Sequence, residues 1–216
     1  GVFRDVLPAW NDENLRAIAE QIRSGLFLAH VRASTGTSTA RQNCHPFRHA
    51  EWLFMHNGQI GGYTAIRRQL EMLIAPEFYR HRLGTTDSEA MFYLALTHGL
   101  ETDPEMALRR TVGIIEGLMT EAGTTDPLRI SLVLSDGQQL IALRYSSDQR
   151  SPSMYLGQGG EALAEAGLKD VGDGPNVLVL SEPLDDVSGS WRKVEDASIL
   201  IAQQGGIDTH SFAPER

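Results

Sequence analysis

The chain has 216 residues and a mass of 23.8 kDa, enough for one large core or at most two small domains. Hydrophobic residues make up 41% and charged residues 22%, an ordinary globular balance that excludes wholesale disorder. A formal net charge of -9, from 19 basic and 28 acidic residues, excludes a nucleic-acid surface and an anionic membrane as partners.

The opening "GVFRDVLPAW" reads as the middle of a protein, with Val2, Arg4 and Val6 alternating like an edge strand. Residues 12–23 read as a helix: Leu15, Ile18, Ala19 and Ile22 recur at helical spacing, and Asn11 or Asp12 can cap it. "LFLAHV", Leu26 to Val31, is expected as a buried strand, and the polar run that follows as a loop. "WLFMHN", Trp52 to Asn57, is a second expected strand, ending in an Asn57-Gly58 turn. Residues 62–74 read as helix. "TTDSEAMFYLALTHG" opens on the capping-box pattern Thr86-x-x-Glu89 and closes at Gly99. The next helix takes Asp103 as cap and Pro104 at its first position, with Leu108, Val112, Ile115 and Met119 on one face.

From Pro127 the pattern changes. "LRISLVLSDGQQLIALRYS" predicts a hairpin around Asp136-Gly137, and "NVLVLSEPL" and "ASILIAQQ" predict two more strands. The glycine-rich stretch 157–174 reads as a surface loop or short helix, and "GGIDTHSFAPER" as a tail. Strands, helices, then strands suggest sheet layers packed with helices in a single domain. The basic residues Arg67, Arg68, Arg80 and Arg82 read as a solvated helix face and loop. One cysteine cannot make an internal disulfide, and there is no long apolar stretch and no signal peptide. A cytoplasmic chain is the expectation.

The chemistry concentrates in "NCHPFRHAEWLFMHNGQIGGY", Asn43 to Tyr63. Cys44 is either a buried small hydrophobe or a nucleophile paired with His30, His49 or His56. His45-x3-His49 has no carboxylate at a familiar metal-ligand spacing. Asn57-Gly58 reads either as a tight turn or as a pair of donors for a developing oxyanion. Arg32 follows an apolar run, where a guanidinium either joins a surface ion pair or grips a carboxylate bidentately. Asp87 sits in the first turn of its helix, as dipole compensation or as a partner for an ammonium group. Together Arg32 and Asp87 could hold the two charged ends of an amino acid.

In that order and spacing, "FLAHVRASTG", "NCHPF", "FMHNGQI" and "GTTDSEA" resemble the class II glutamine amidotransferases, the N-terminal-nucleophile type. The closest likeness is to the stand-alone YafJ-like group, and it covers essentially the whole chain. The resemblance implies an α+β fold: a four-layer α/β/β/α sandwich with two mainly antiparallel sheets. It implies Arg32 on the substrate α-carboxylate, Thr35 lining the site, Asn57 and Gly58 as oxyanion hole, and Asp87 on the α-amino group. The nucleophile it implies is an N-terminal cysteine with its own amine as base. Cys44 belongs to a wall motif instead. Because residue 1 is Gly and no cysteine precedes position 44, the expectation is a single type-2 domain over 1–216 that lacks its opening strand and nucleophile. The chain by itself would then be inactive.

The implied reaction is cleavage of the γ-carboxamide of glutamine or a small γ-glutamyl compound through a cysteinyl thioester. The alternative is a catalytically inactive domain that binds a γ-glutamyl ligand or regulates a partner. No metal or redox or nucleotide cofactor is expected; the glycines at 157–160 are no phosphate-binding fingerprint. A separate ammonia-accepting subunit is one candidate partner, and a homo-oligomer is left open.

Overall fold

The computed structural model describes residues 1–31, 39–158, 176–184, 191–204 and 206–215. Five α-helices and nine strands follow in chain order among them. They are α1 (Glu13–Gln21), β1 (Phe47–His49), β2 (Trp52–Gln59), α2 (Tyr63–Met72), α3 (Pro76–Tyr79), α4 (Asp87–Thr97), α5 (Pro104–Glu121), β3 (Arg129–Ser135), β4 (Leu140–Ser146), β5 (Tyr155–Gln158), β6 (Val177–Leu180), β7 (Trp191–Lys193), β8 (Ser198–Gln203) and β9 (Gly206–Ser211).

The helix starts obey their caps. Asp12 accepts from the Leu15 N–H, Thr86 from Glu89 and Asp103 from Met106, with Pro104 at the first position of α5. The Thr86-x-x-Glu89 box is only half made. The Glu89 carboxylate turns away to accept the N–H groups of Leu83 (3.0 Å) and Gly84 (2.8 Å), bracing the loop ahead of α4.

The strands form two antiparallel sheets, one ordered β1-β2-β3-β4-β8-β9 and one ordered β6-β5-β7. Strand alternation sorts their side chains. Phe54, Ile130, Leu132, Leu134 and Leu143 face a core shared with Ile66 and Leu70 of α2, Met91, Phe92 and Leu94 of α4, and Leu108 and Ile115 of α5. Val133, Ala142 and Leu200 enter a second core with Met154, Leu156 and Val194, under the smaller sheet. Helices, large sheet and small sheet thus stack as layers, the α+β sandwich expected. No described helix is long and apolar enough to cross a membrane.

Four sequence expectations are corrected. Residues 2–6 form no strand, and neither does Leu26–Val31. In the latter, Leu26, Leu28 and His30 are half-buried while Phe27 and Val31 stand 82% and 79% exposed. Alternation alone does not make a strand; a ladder partner is needed, and among the described residues none pairs with this segment. Asn57-Gly58 is not a turn, because β2 runs on to Gln59 with Asn57 opposite Ser131 and Gly58 opposite Ile130. The C-terminal stretch is not a tail. β9 pairs along β8, and Arg109 of α5 donates to the carbonyls of Ser211 (2.9 Å) and Ala213 (2.8 Å) with its guanidinium over the buried Phe212 ring. Residues 159–174 of the glycine-rich stretch lie outside the described residues; Gly157 and Gln158 belong to β5.

Candidate functional site

The direction of the backbone along β2 follows from its hairpin with β1. Ala50 and Glu51 are the only residues between His49 and Trp52, which face each other across the loop. In such a two-residue hairpin the closing pair is hydrogen-bonded, and main-chain direction alternates from there. Trp52, Phe54, His56 and Gly58 therefore point their N–H groups toward the β1 edge, and Leu53, Met55, Asn57 and Gln59 point theirs at β3. β1 stops at Phe47, opposite Phe54. Among the described residues no strand pairs with β2 beyond Phe54 on the side to which the Gly58 N–H points.

Ile60 continues the same alternation, and its N–H donates to Asp87 Oδ2 at 2.9 Å. That bond seats the first turn of α4 against the end of β2. The other carboxylate oxygen, Oδ1, accepts the Ser88 N–H at 2.8 Å and has the Ser88 hydroxyl at 3.3 Å. The structure thus brings Asn57, Gly58 and Asp87 into one neighbourhood. Asn57 shares a strand face with Met55, on the side of the second core, and is exposed. Arg32 and Thr35 lie outside the described residues.

Gly58 is confined to glycine by what surrounds it. Its φ is +151°, and an added Cβ would lie 2.0 Å from the Arg129 carbonyl oxygen and 2.7 Å from His56 Nε2. His56 itself is buried and bridges three elements. Its Nδ1 is 2.8 Å from Ser88 Oγ on α4, and its Nε2 is 3.3 Å from the Arg129 carbonyl oxygen on β3. Burial pushes its pKa below the ordinary 6.5, against the upward pull of Asp87 and of the Arg129 carbonyl.

Sequence reasoning missed the brace behind the site, and it read Arg82 as part of a solvated basic face, whereas its side chain is 6% exposed. Asn43 of "NCHPF" is buried and accepts the Thr85 N–H at 2.9 Å, holding that wall to the loop before Asp87. Arg82 is enclosed between Glu71 and Glu89 and donates to the Thr86 carbonyl at 3.3 Å. Burial pushes the neighbouring Tyr63 phenol up to about 12.

The histidines of "NCHPFRH" part company. The His45 ring lies tilted against His30, at 4.2 Å between centroids, whereas His49 packs among Phe78, His81 and Tyr93. Cys44 is half-buried, with its thiol directed at the carbonyls of Asp5 (3.3 Å) and Ala40 (3.5 Å). That is a packing environment, with the sulfur held by main chain.

A family model described as "Glutamine amidotransferases class-II" matches residues 1–215. The chain is 32% identical to the "Probable glutamine amidotransferase DUG3" of Saccharomyces cerevisiae over 239 residues, covering 99% of the chain and 67% of that protein. It is similar in structure to a glutamine aminotransferase class-II domain protein from Silicibacter pomeroyi, with a TM-score of 0.85 and 45% identity, over 100% of this chain and 87% of that one. At 18% identity it shares only the fold with the glutamine phosphoribosylpyrophosphate amidotransferase of B. subtilis, with a TM-score of 0.55, over 86% of this chain and 34% of that one.

Proposed function

The chain belongs to the class II glutamine amidotransferases, and from that membership we propose that it forms a single stand-alone, YafJ-like domain that hydrolyses the γ-carboxamide of glutamine or of a small γ-glutamyl compound. The observation that supports this reading is the Asp87–Ile60 bond, which holds the Asp87 carboxylate two residues along β2 from Gly58. Family chemistry needs both ends of that arrangement. One end anchors the amino-acid head; the other receives charge as the amide carbon turns tetrahedral.

In the proposed mechanism an N-terminal cysteine, outside this sequence, attacks the γ-carbonyl carbon. The Asn57 side-chain amide and the Gly58 N–H stabilise the oxyanion. Arg32 and Asp87 hold the α-carboxylate and α-ammonium groups, and Thr35 lines the pocket. The tetrahedral intermediate collapses to a thioester and expels ammonia, whose proton comes from the N-terminal amine. Water then cleaves the thioester to the acid. The ammonia passes to solvent or to a separate acceptor subunit.

The test uses the full-length protein and a glutamine-shaped diazoketone, with peptide mapping of the adduct. One label is expected, on a cysteine other than Cys44. Cys44→Ala is expected to keep kcat within about twofold, as a packing change at a half-buried site. Asn57→Ala is expected to lower kcat for glutamine by about 10²–10³. Turnover surviving Asn57→Ala would remove the oxyanion assignment, and a label on Cys44 would remove the nucleophile assignment. Glutamine binding without any label would move the chain to the ligand-binding class.

A further inference from the structure

The proposed reaction accounts for Asn57, Gly58 and Asp87 but leaves two buried polar groups unused. His56 is 3% exposed and Ser88 is 6% exposed, and they face each other between β2 and α4. Each is the chain neighbour of a proposed site residue.

The hydrogens in this contact can be assigned by elimination. The Arg129 carbonyl oxygen can only accept, so His56 Nε2 carries a hydrogen. A neutral ring then has a bare Nδ1, which needs a donor. The one group at 2.8 Å is the Ser88 hydroxyl. That hydroxyl has a single hydrogen. It also lies 3.3 Å from Asp87 Oδ1 and cannot serve both. Given to His56, it leaves Oδ1 with the Ser88 N–H and a lone pair to spare.

The groups around the ring favour that arrangement. On α4 it meets Ser88 and the Asp87 charge; on β3 it meets a main-chain carbonyl; on its own strand Phe54 lies 6.5 Å away between ring centroids. The Arg129 guanidinium is occupied by Asp148 at 2.6 Å. Enclosure among these groups keeps the imidazole uncharged, its pKa held down by burial. A protonated ring would donate from Nδ1, and the Ser88 hydroxyl hydrogen would have to turn away from it.

We propose that Ser88 is a positioning residue that holds His56 as the Nε2–H tautomer and, through that bond, fixes the first turn of α4 and its Asp87 carboxylate against β2 for the α-ammonium group of the substrate. The pair also ties the oxyanion strand to the helix that binds the amine, so the two ends of a γ-glutamyl substrate meet a fixed spacing. Selectivity for a free α-amine then depends on Ser88, which does not touch the substrate. This rests on the γ-glutamyl reading above.

The experiment compares wild type, Ser88→Ala and Asp87→Asn as full-length proteins. The probes are γ-glutamyl-p-nitroanilide and glutaryl-p-nitroanilide, which differ only in the α-amine. Ser88→Ala is expected to raise KM for the amine-bearing probe about three- to tenfold, with kcat within twofold and the glutaryl probe unaffected. The ¹⁵N imidazole shifts of the resting protein at neutral pH give a readout independent of turnover. His56 is expected as Nε2–H in wild type, with its Nδ1 shift moving in Ser88→Ala as the donor is lost. An Nδ1–H or charged His56, or equal effects of Ser88→Ala on both probes, would overturn the proposal while wild-type activity and the Asp87→Asn defect remain. If wild type cleaves neither probe and Asp87→Asn changes nothing, the γ-glutamyl reading itself has failed, and this proposal with it.

Discussion

α1 and α4 make an instructive pair. Both are capped by a side chain at their first turn, Asp12 in one and Thr86 in the other. α1 has the clearer apolar stripe, with Leu15, Ile18 and Ala19 on one face, and it buries no residue at all. α4 is apolar nearly all round and buries every residue from Ser88 to Leu96. An apolar stripe tells where a helix forms but not what it packs on. A helix apolar on every side has to be enclosed. In this fold the enclosed helix presents its first turn to the site, where Asp87 meets β2.

The largest expected effect tests that contrast in the core. Leu94 of α4 is fully buried, packed with the residues of the main core. Leu94→Ala is expected to cost about 2–5 kcal/mol, as lost transfer energy plus a cavity. Ile18 of α1 is 39% exposed, and Ile18→Ala is expected to stay within about 0.5 kcal/mol. Urea midpoints with constant slope measure both. Equal losses would mean that α1 is anchored against the core as firmly as α4.

The same contrast marks what the sequence could and could not reveal. The four longer helices, the caps of three of them and the β3–β4 hairpin were legible because each depends on residues within a few positions of one another, whereas the four-residue α3 was not foreseen. Asn57, Gly58 and Asp87 were legible as motif members, and their meeting was not. It depends on strand alternation along β2 delivering the Ile60 N–H to a carboxylate 27 residues later. The Asn-Gly pair read as a turn because that pairing is its commonest use, while here β3 lies alongside and extends the ladder through it. β9 read as a tail because its anchors, Arg109 and the neighbouring strand β8, are distant or need the sheet already formed. β1 and β7 have three residues each and β5 has four, too short for any periodicity to show. Arg32 and Thr35 rest on the resemblance alone.

A smaller effect should appear on mild acidification, and it too belongs to the enclosed side. His56 has its pKa lowered by burial, and so does half-buried His98 beside α5, with Arg110 adding repulsion. Below about pH 6.5 the unfolded chain takes up these protons more readily than the folded one, so stability falls as pH drops from there toward the folded pKa values. The depressed carboxylates Glu71 and Glu105 act in the same direction, but only as pH falls through and below their ordinary 4.5. The interval between pH 6.5 and 5 therefore isolates the histidines. Urea midpoints are expected to decline across it, and less so in His98→Gln. A flat profile would mean that His56 is charged, or solvated, in the fold.

The smallest effect concerns the caps themselves. Thr86 is buried, and Thr86→Ala leaves the Glu89 N–H without its partner inside the protein, at a cost of about 1–2 kcal/mol to the whole fold. Asp12 is also enclosed, at 5% exposed, and its bond to the Leu15 N–H is as short, at 3.0 Å. The helix behind it buries nothing, so there is little for the loss to propagate into. Asp12→Ala is therefore expected to release the amides of α1 to hydrogen exchange, with a local cost of about 1 kcal/mol, and to leave the global midpoint nearly unchanged. Two caps of like geometry would then differ in reach because one starts a helix the core depends on and the other does not. A global midpoint shift in Asp12→Ala matching that of Thr86→Ala would show that α1 is part of the cooperative unit, and that its apolar face is covered when the protein folds.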